Sequence, residues 1–281
     1  MKSFYKAAAV ALSIMLFMQL SSPKRESIAQ VKPEQPKKTE KAKDKLAVKP
    51  RANGRVVKVE QGSIYLYQLH ETIGKKTVSM ILSRSNGKDG YAVYNLNRRG
   101  DGRSGSHLFA SALNVQNIHQ IVNSYLVGYI PFKTDNIWTP LLTLSQRKAY
   151  QYDHIQYHGR RDVWQTSRES FNSPRGDCED HAIALADWLI EMGEDARVIT
   201  GKLKSGGHAW VVLFKDGKEF LLEATWKSKG RNTLKHYPLA SMFTHYQPEY
   251  MFNRNDFWFN QGSSRTTNYS SKNWIKKSRY N

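Results

Sequence analysis

The dipeptide Asp216-Gly217, set between Lys215 and Lys218, constrains this chain more than any other feature. It separates two runs of alternating apolar residues, and Asp-Gly is a preferred pair for a two-residue hairpin turn. With Lys215 paired to Lys218, the register is fixed, because side chains alternate faces along a strand. Ala209, Val211, Leu213, Phe220, Leu222 and Ala224 then share one face, which is expected to be core. His208 falls opposite Thr225 on the face away from that core. Glu223 becomes its diagonal neighbour there, within reach of a long carboxylate side chain.

A helix is expected just upstream. Pro174-Arg175-Gly176 reads as a turn, Asp177 as the N-cap with Asp180 three residues on, and Gly193 as the stop. Ala182, Leu185, Leu189 and Met192 form its buried stripe. Cys178, the chain's single cysteine, therefore stands in the first turn. The helix N-terminus favours a thiolate there, and the unpaired Cys178 N–H is free to hold an oxyanion. Asp177, Glu179 and Asp180 work against this, since like charge raises a thiol pKa. A compensating cation is required: the imidazolium of His208, or a calcium ion held by Asp177 and Glu179, whose carboxylates suit a hard cation. Asp180 reads as a simple cap. Together these residues read as a nucleophile (Cys178), a general base (His208) and an orienting carboxylate (Glu223). His181 lies too close to Cys178 along the same helix to address a substrate.

With one cysteine, no intrachain disulfide supports the fold. A chain of 281 residues, 40% of them hydrophobic, must instead bury one core with a small accessory lobe. Residues 1–22 carry positive charge and then the apolar run Ala7 to Leu20, the pattern of a signal peptide or an uncleaved signal anchor. Either places the protein outside the cytoplasm, in the periplasm or cell envelope, and away from nucleic acid. Residues 23–54 are rich in Lys, Pro, Glu and Ala and read as a basic, disordered linker.

A β-rich accessory region is expected over 55–113. Its strands are Arg55–Val59, Ser63–Tyr67, Val78–Leu82 and Tyr91–Tyr94, and a flexible loop spans 100–105. The catalytic domain is expected over 114–252, opening with an amphipathic helix through Ile118, Ile121, Val122 and Tyr125 and a loop over 131–159. The aromatic, basic tail over 253–281 reads as poorly ordered. The net charge of +19 favours an anionic wall or lipid surface as a partner of the linker and tail.

Asp162-x-Trp164-Gln165-Thr166, Gly176-Asp177-Cys178-Glu179-Asp180-His181-Ala182, Gly207-His208-Ala209-Trp210 and Leu222-Glu223-Ala224-Thr225 resemble the transglutaminase-like cysteine peptidases. The nearest likeness is to the bacterial branch containing periplasmic, calcium-dependent proteases that cleave adhesins. The resemblance covers roughly residues 115–250. It implies an α+β, papain/transglutaminase-like core with the nucleophile at a helix N-terminus packed on an antiparallel sheet. It also implies a Cys178–His208–Glu223 triad, although the family usually has Asp at the Glu223 position. Asp177 and Glu179 match the family's calcium-binding acids, and no cofactor is needed for the chemistry itself. Trp164, Gln165 and Trp210 are the candidates for oxyanion or substrate contacts. The expected activity is hydrolysis of a peptide or amide bond in a protein or peptide substrate. Acyl transfer to an amine, giving cross-links, is the enzymatic alternative. A catalytically inactive envelope-binding protein is the other.

Overall fold

The computed structural model describes residues 62–84, 90–96, 107–227 and 238–281. These belong to one unit spanning Val56–Asn281. The expected signal segment, the linker, the strand Arg55–Val59 and the loop at 100–105 lie outside the described residues.

The architecture is α+β, with few helices and a large antiparallel sheet. Its strands, in chain order, begin with β1 (Ile64–Leu66), β2 (Glu71–Ile73), β3 (Ala92–Leu96), β4 (His107–Asn114) and β5 (His119–Ile121). Two-residue strands follow at β6 (Ala149–Tyr150), β7 (Val163–Trp164) and β8 (Arg175–Gly176). The C-terminal part supplies β9 (Asp195–Leu203), β10 (Gly206–Lys215), β11 (Lys218–Leu222), β12 (Tyr246–Phe252), β13 (Asp256–Asn260) and β14 (Trp274–Tyr280). Eight of them form one sheet in the order β11-β10-β9-β12-β13-β14-β1-β2. A smaller sheet joins β3, β4 and β5, with β7 running parallel to β4.

The hairpin has the register read from Asp216-Gly217: Lys215 pairs with Lys218 and Val211 with Leu222. Both turn residues have positive φ, 51° and 69°. One face packs Ala209, Val211, Leu213 and Leu222 against Ile183, Leu185, Ala186 and Leu189 of the Cys178–Glu191 helix. Each large apolar side chain buried this way contributes roughly 1.5–3 kcal/mol. The helix stops where Gly193 takes φ 86°, and the N–H of Glu194 returns to the Leu189 carbonyl.

The hairpin's other face is buried as well. Trp210, Val212 and Leu221 pack there with Ile199, Tyr246, Met251, Trp258, Tyr269 and Trp274 as a second core. The C-terminal segment closes this layer, so the tail expected to be poorly ordered is instead β13 and β14, deep in the sheet order. Cations flank its aromatics: Arg197 of β9 and Lys276 of β14 lie 4.5 and 5.2 Å from the Trp258 ring centroid.

Three further expectations are corrected. Val78–Leu82 lies in a helix, Lys75–Ser83, where Val78 and Leu82, four apart, are buried while Met80 is exposed. A short apolar run does not distinguish strand from helix, and packing of the i, i+4 pair decided it. The segment after Asn114 is a turn followed by β5 and a 3-10 turn, Val122–Tyr125. The Asn114 side chain accepts from the N–H groups of Gln116 and Ile118 and so ends β4 in a turn rather than starting a helix. The stretch 131–159 holds two helices, Thr139–Arg147, with Pro140 in its first turn, and Asp153–Gln156.

Candidate active site

Cys178 opens the long helix and Asp177 precedes it in extended conformation, but the Asp177 side chain makes no capping hydrogen bond. The first turn is held from elsewhere. His181 is fully buried; its Nδ1–H donates to the Asp177 carbonyl at 2.6 Å, and its Nε2 accepts from Lys227 at 2.8 Å. Burial and the Lys227 charge depress the His181 pKa to about 3, so this imidazole is neutral. It is a brace for the helix start and has no path to a substrate.

His208 opens β10 across from Gly201 of β9. Gly201 is required by close approach, because a Cβ there would lie 2.1 Å from the Gln247 carbonyl oxygen of β12. The His208 Nε2 meets Glu223 Oε2 at 2.7 Å. Glu223 is almost wholly buried and takes further hydrogen bonds from Tyr246 OH (3.1 Å), Thr225 N–H (3.0 Å) and Thr225 Oγ1 (2.6 Å). Burial alone would raise its pKa, but the bonds from His208 and Thr225 and the charge of His208 outweigh it and hold the carboxyl below its ordinary value. With Nε2 engaged by Glu223, Nδ1 is the ring nitrogen left for the cleft.

A cleft of about 430 Å³ brings Cys178, Asp177, Glu179, Trp164 and His208 together with Tyr91, Tyr150, Tyr152, Asp162, Thr200, Gly201 and Tyr250. Two expected contact residues lie elsewhere. The Gln165 amide donates to Tyr157 OH at 2.9 Å and is buried behind the helix start. Trp210 lies beneath His208, ring centroids 6.0 Å apart, and its indole N–H goes to Tyr269 OH. Both are spent on packing, because their N–H donors found acceptors in the interior.

The thiol in this state is not a thiolate. Cys178 Sγ donates to Glu179 Oε2 at 3.3 Å rather than to His208. Burial first and the Asp177 charge second push its pKa up to about 12, against the opposing bonds from Glu179 and the Ala209 backbone. The cause is an acidic cluster that the sequence showed only in part. Asp153, Asp177 and Asp180 bring carboxylate oxygens within 4.8 Å of one another, as do Asp177 and Glu179 with the thiol. Burial and the Asp177 charge raise Asp153 to about 7, and burial raises Asp177, Glu179 and Asp180 as well. One oxygen on each of these four buried groups has no hydrogen-bond partner. Lys148, itself buried, is the nearest countercharge; it donates to the carbonyls of Ser170 and Arg175 at 2.9 and 2.7 Å. Asp180 is therefore not the helix cap expected: its Oδ1 accepts from the Gln165 N–H at 2.8 Å. Unpartnered buried carboxylate oxygens are the donor set a hard cation takes, so these residues fit calcium chemically.

Residues 162–280 match the family model of the CEP76 peptidase-like domain. The match takes in the helix start, the hairpin and the closing strands, which are thus similar to a peptidase-like domain. A curated human relative, Protein CC2D2B of Homo sapiens, is 28% identical over 109 residues, which is 37% of this chain and 7% of that protein. Among solved structures, one described as a "Putative Cysteine Protease" from Cytophaga hutchinsonii is 14% identical and covers 57% of this chain and 56% of its own. Its TM-score is 0.28, too low to equate the two folds.

Proposed function

We propose that this protein is a cysteine-dependent hydrolase that cleaves a peptide or amide bond through a thioester. The observation that carries the reading is the meeting, in one cleft, of a thiol at a helix N-terminus and an imidazole whose far nitrogen is fixed on a buried carboxylate. Cys178 gives its proton to His208 Nδ1, and the thiolate attacks the substrate carbonyl carbon. The Cys178 backbone N–H, unpaired at the helix start, donates to the resulting oxyanion. His208 then protonates the leaving amine as the C–N bond breaks, leaving an acyl thioester. Water attacks that thioester with His208 as base, releasing the carboxylate and restoring the thiol. Glu223 keeps the imidazole in the tautomer and orientation both steps need, as the third member of a triad does.

The raised thiol pKa asks for positive charge near Asp177 and Glu179, and a calcium ion held by these two is part of the proposal. Bound, it would offset the carboxylate field that disfavours the thiolate. The envelope location, and an anionic surface as partner of residues 23–54, follow from the charge and patterning of the N-terminal sequence and belong to the same reading. The test is turnover of unstructured polypeptide by wild type, Cys178→Ala and His208→Ala, read by mass spectrometry with a labelled amine present. New termini formed only by wild type support hydrolysis. Amine incorporation without new termini would replace it with acyl transfer.

A further inference from the structure

The cleft has a wall from outside the peptidase-like match. Gly90 and Tyr91 lead into β3, more than seventy positions before residue 162, where that match begins. Asp162 takes φ 55°, a conformation a non-glycine residue adopts only when its surroundings impose it. Its carboxylate is divided between two donors: Oδ2 accepts the Tyr91 N–H and Oδ1 the Trp164 indole N–H at 2.8 Å. Gly90, at φ 89°, must be glycine here, since a Cβ would come within 2.6 Å of Asp162 Oδ2. The Tyr91 ring stacks on Trp164, centroids 5.6 Å apart and 14° between planes. Its hydroxyl meets Thr200 Oγ1 at 3.3 Å, and the Tyr250 ring stands 6.3 Å away. Backbone strain, a divided carboxylate and a buried indole are all devoted to fixing one half-buried aromatic ring in the cleft that holds Cys178.

We propose that Tyr91 and Tyr250, with Thr200 and Gly201, form a subsite that receives an uncharged apolar or aromatic side chain of the substrate beside the scissile bond. This rests on the hydrolase reading above and names its substrate class. The two rings supply flat apolar surface, and Thr200 and Gly201 of β9 complete the lining beside them. Of the cleft's charges, Asp162 is spent on its two donors, and Lys202 pairs with Glu249 across 3.7 Å at the exposed rim. Asp177 and Glu179 also line the cleft but belong to the acidic cluster around the thiol, and the subsite's own lining offers a charged side chain no partner. A pocket of this kind discriminates by 10-fold to 200-fold, the range available to apolar complementarity.

The experiment is covalent capture of Cys178 by acyl-amino-acid chloromethyl ketones bearing Phe, Leu, Gly, Lys or Asp, timed by intact mass. Each rate is divided by that variant's iodoacetamide rate. It needs the thiol and the pocket but no turnover, so it separates this proposal from the hydrolase reading. The expected result is at least 10-fold faster capture of Phe and Leu than of Gly and Asp in wild type. The preference should fall below 3-fold in Tyr91→Ala and persist in Tyr91→Phe, with melting curves confirming that both variants fold. Equal rates across side chains, a preference for Lys, or a preference that survives Tyr91→Ala overturns the subsite. A thiol inert to every reagent, iodoacetamide included, overturns the hydrolase reading and the subsite with it.

Discussion

Glu223 Oε2 accepts from His208 Nε2 at 2.7 Å and from Tyr246 OH at 3.1 Å, while its Oε1 is closed by Thr225. The carboxylate is thus held by three residues at once, and one of them is the imidazole of the cleft.

That arrangement sets a pH signature for stability. The folded pKa of Glu223 lies below its unfolded value, so its contribution is present above the unfolded pKa and lost as pH falls through the folded one. Glu223→Gln should cost about 1.5–3 kcal/mol at pH 7, the range for hydrogen bonds to a charged group. Denaturant unfolding at pH 7 and at pH 3 should show the gap between variant and wild type closing in acid. A gap of equal size at both would mean that the carboxylate charge contributes nothing.

Lys148 offers a second test, of the acidic cluster. Its ammonium feeds the carbonyls of Ser170 and Arg175 and faces Asp180, all out of water. Lys148→Met should destabilise by about 3 kcal/mol, as expected when one member of a buried charged set is removed. Adding Asp180→Asn should recover part of that loss, measured as a double-mutant cycle in urea. Strict additivity of the two changes would show that they are not coupled.

The calcium expectation is checked by thermal unfolding with calcium and with chelator. Binding only to the folded state adds about 2.7 kcal/mol at one hundred times Kd. Wild type should therefore melt higher with calcium, and Asp177→Asn should abolish the difference. Identical melting of wild type in both buffers removes calcium from the account.

Truncation after Phe252 tests the C-terminal strands. It deletes β13 and β14, and with them Phe257, Trp258, Tyr269 and Trp274 from the buried layers. At roughly 1.5–3 kcal/mol for each large apolar side chain, the loss is comparable to the whole stability of a typical domain, about 5–15 kcal/mol. The truncated chain should show no cooperative melting by circular dichroism. A cooperative transition near that of wild type would mean the tail is dispensable.

What the sequence revealed was local. The Asp216-Gly217 turn set the hairpin register, and Gly193 with the apolar stripe set the long helix, because each signal lies within a few residues of its effect. Glu223 could be brought to His208 by counting from the turn alone. The closing strands were hidden because β14 pairs on one side with β1, more than two hundred positions away in sequence. Trp258 and Lys276 fall in a tail that read as poorly ordered for the same reason: their contact is visible only once the strands are paired. Tyr91 and Asp153 join the cleft and the cluster from segments with no motif of their own. Gln165 and Trp210, singled out beside the motifs, turned inward to Tyr157 and Tyr269 because buried amide and indole groups must find partners.

The most direct test of the central claim is the rate of Cys178 alkylation by iodoacetamide against pH, for wild type and His208→Ala, with calcium and with chelator. The single cysteine makes the readout unambiguous. With calcium, wild type should react rapidly well below pH 8, and His208→Ala should be slowed at least tenfold. With chelator, wild type should stay slow and accelerate only in strong alkali, as a thiol pushed up to about 12 requires. A rate indifferent to His208 under both conditions would contradict the account, because the thiol and the imidazole would then share a cleft without sharing a proton.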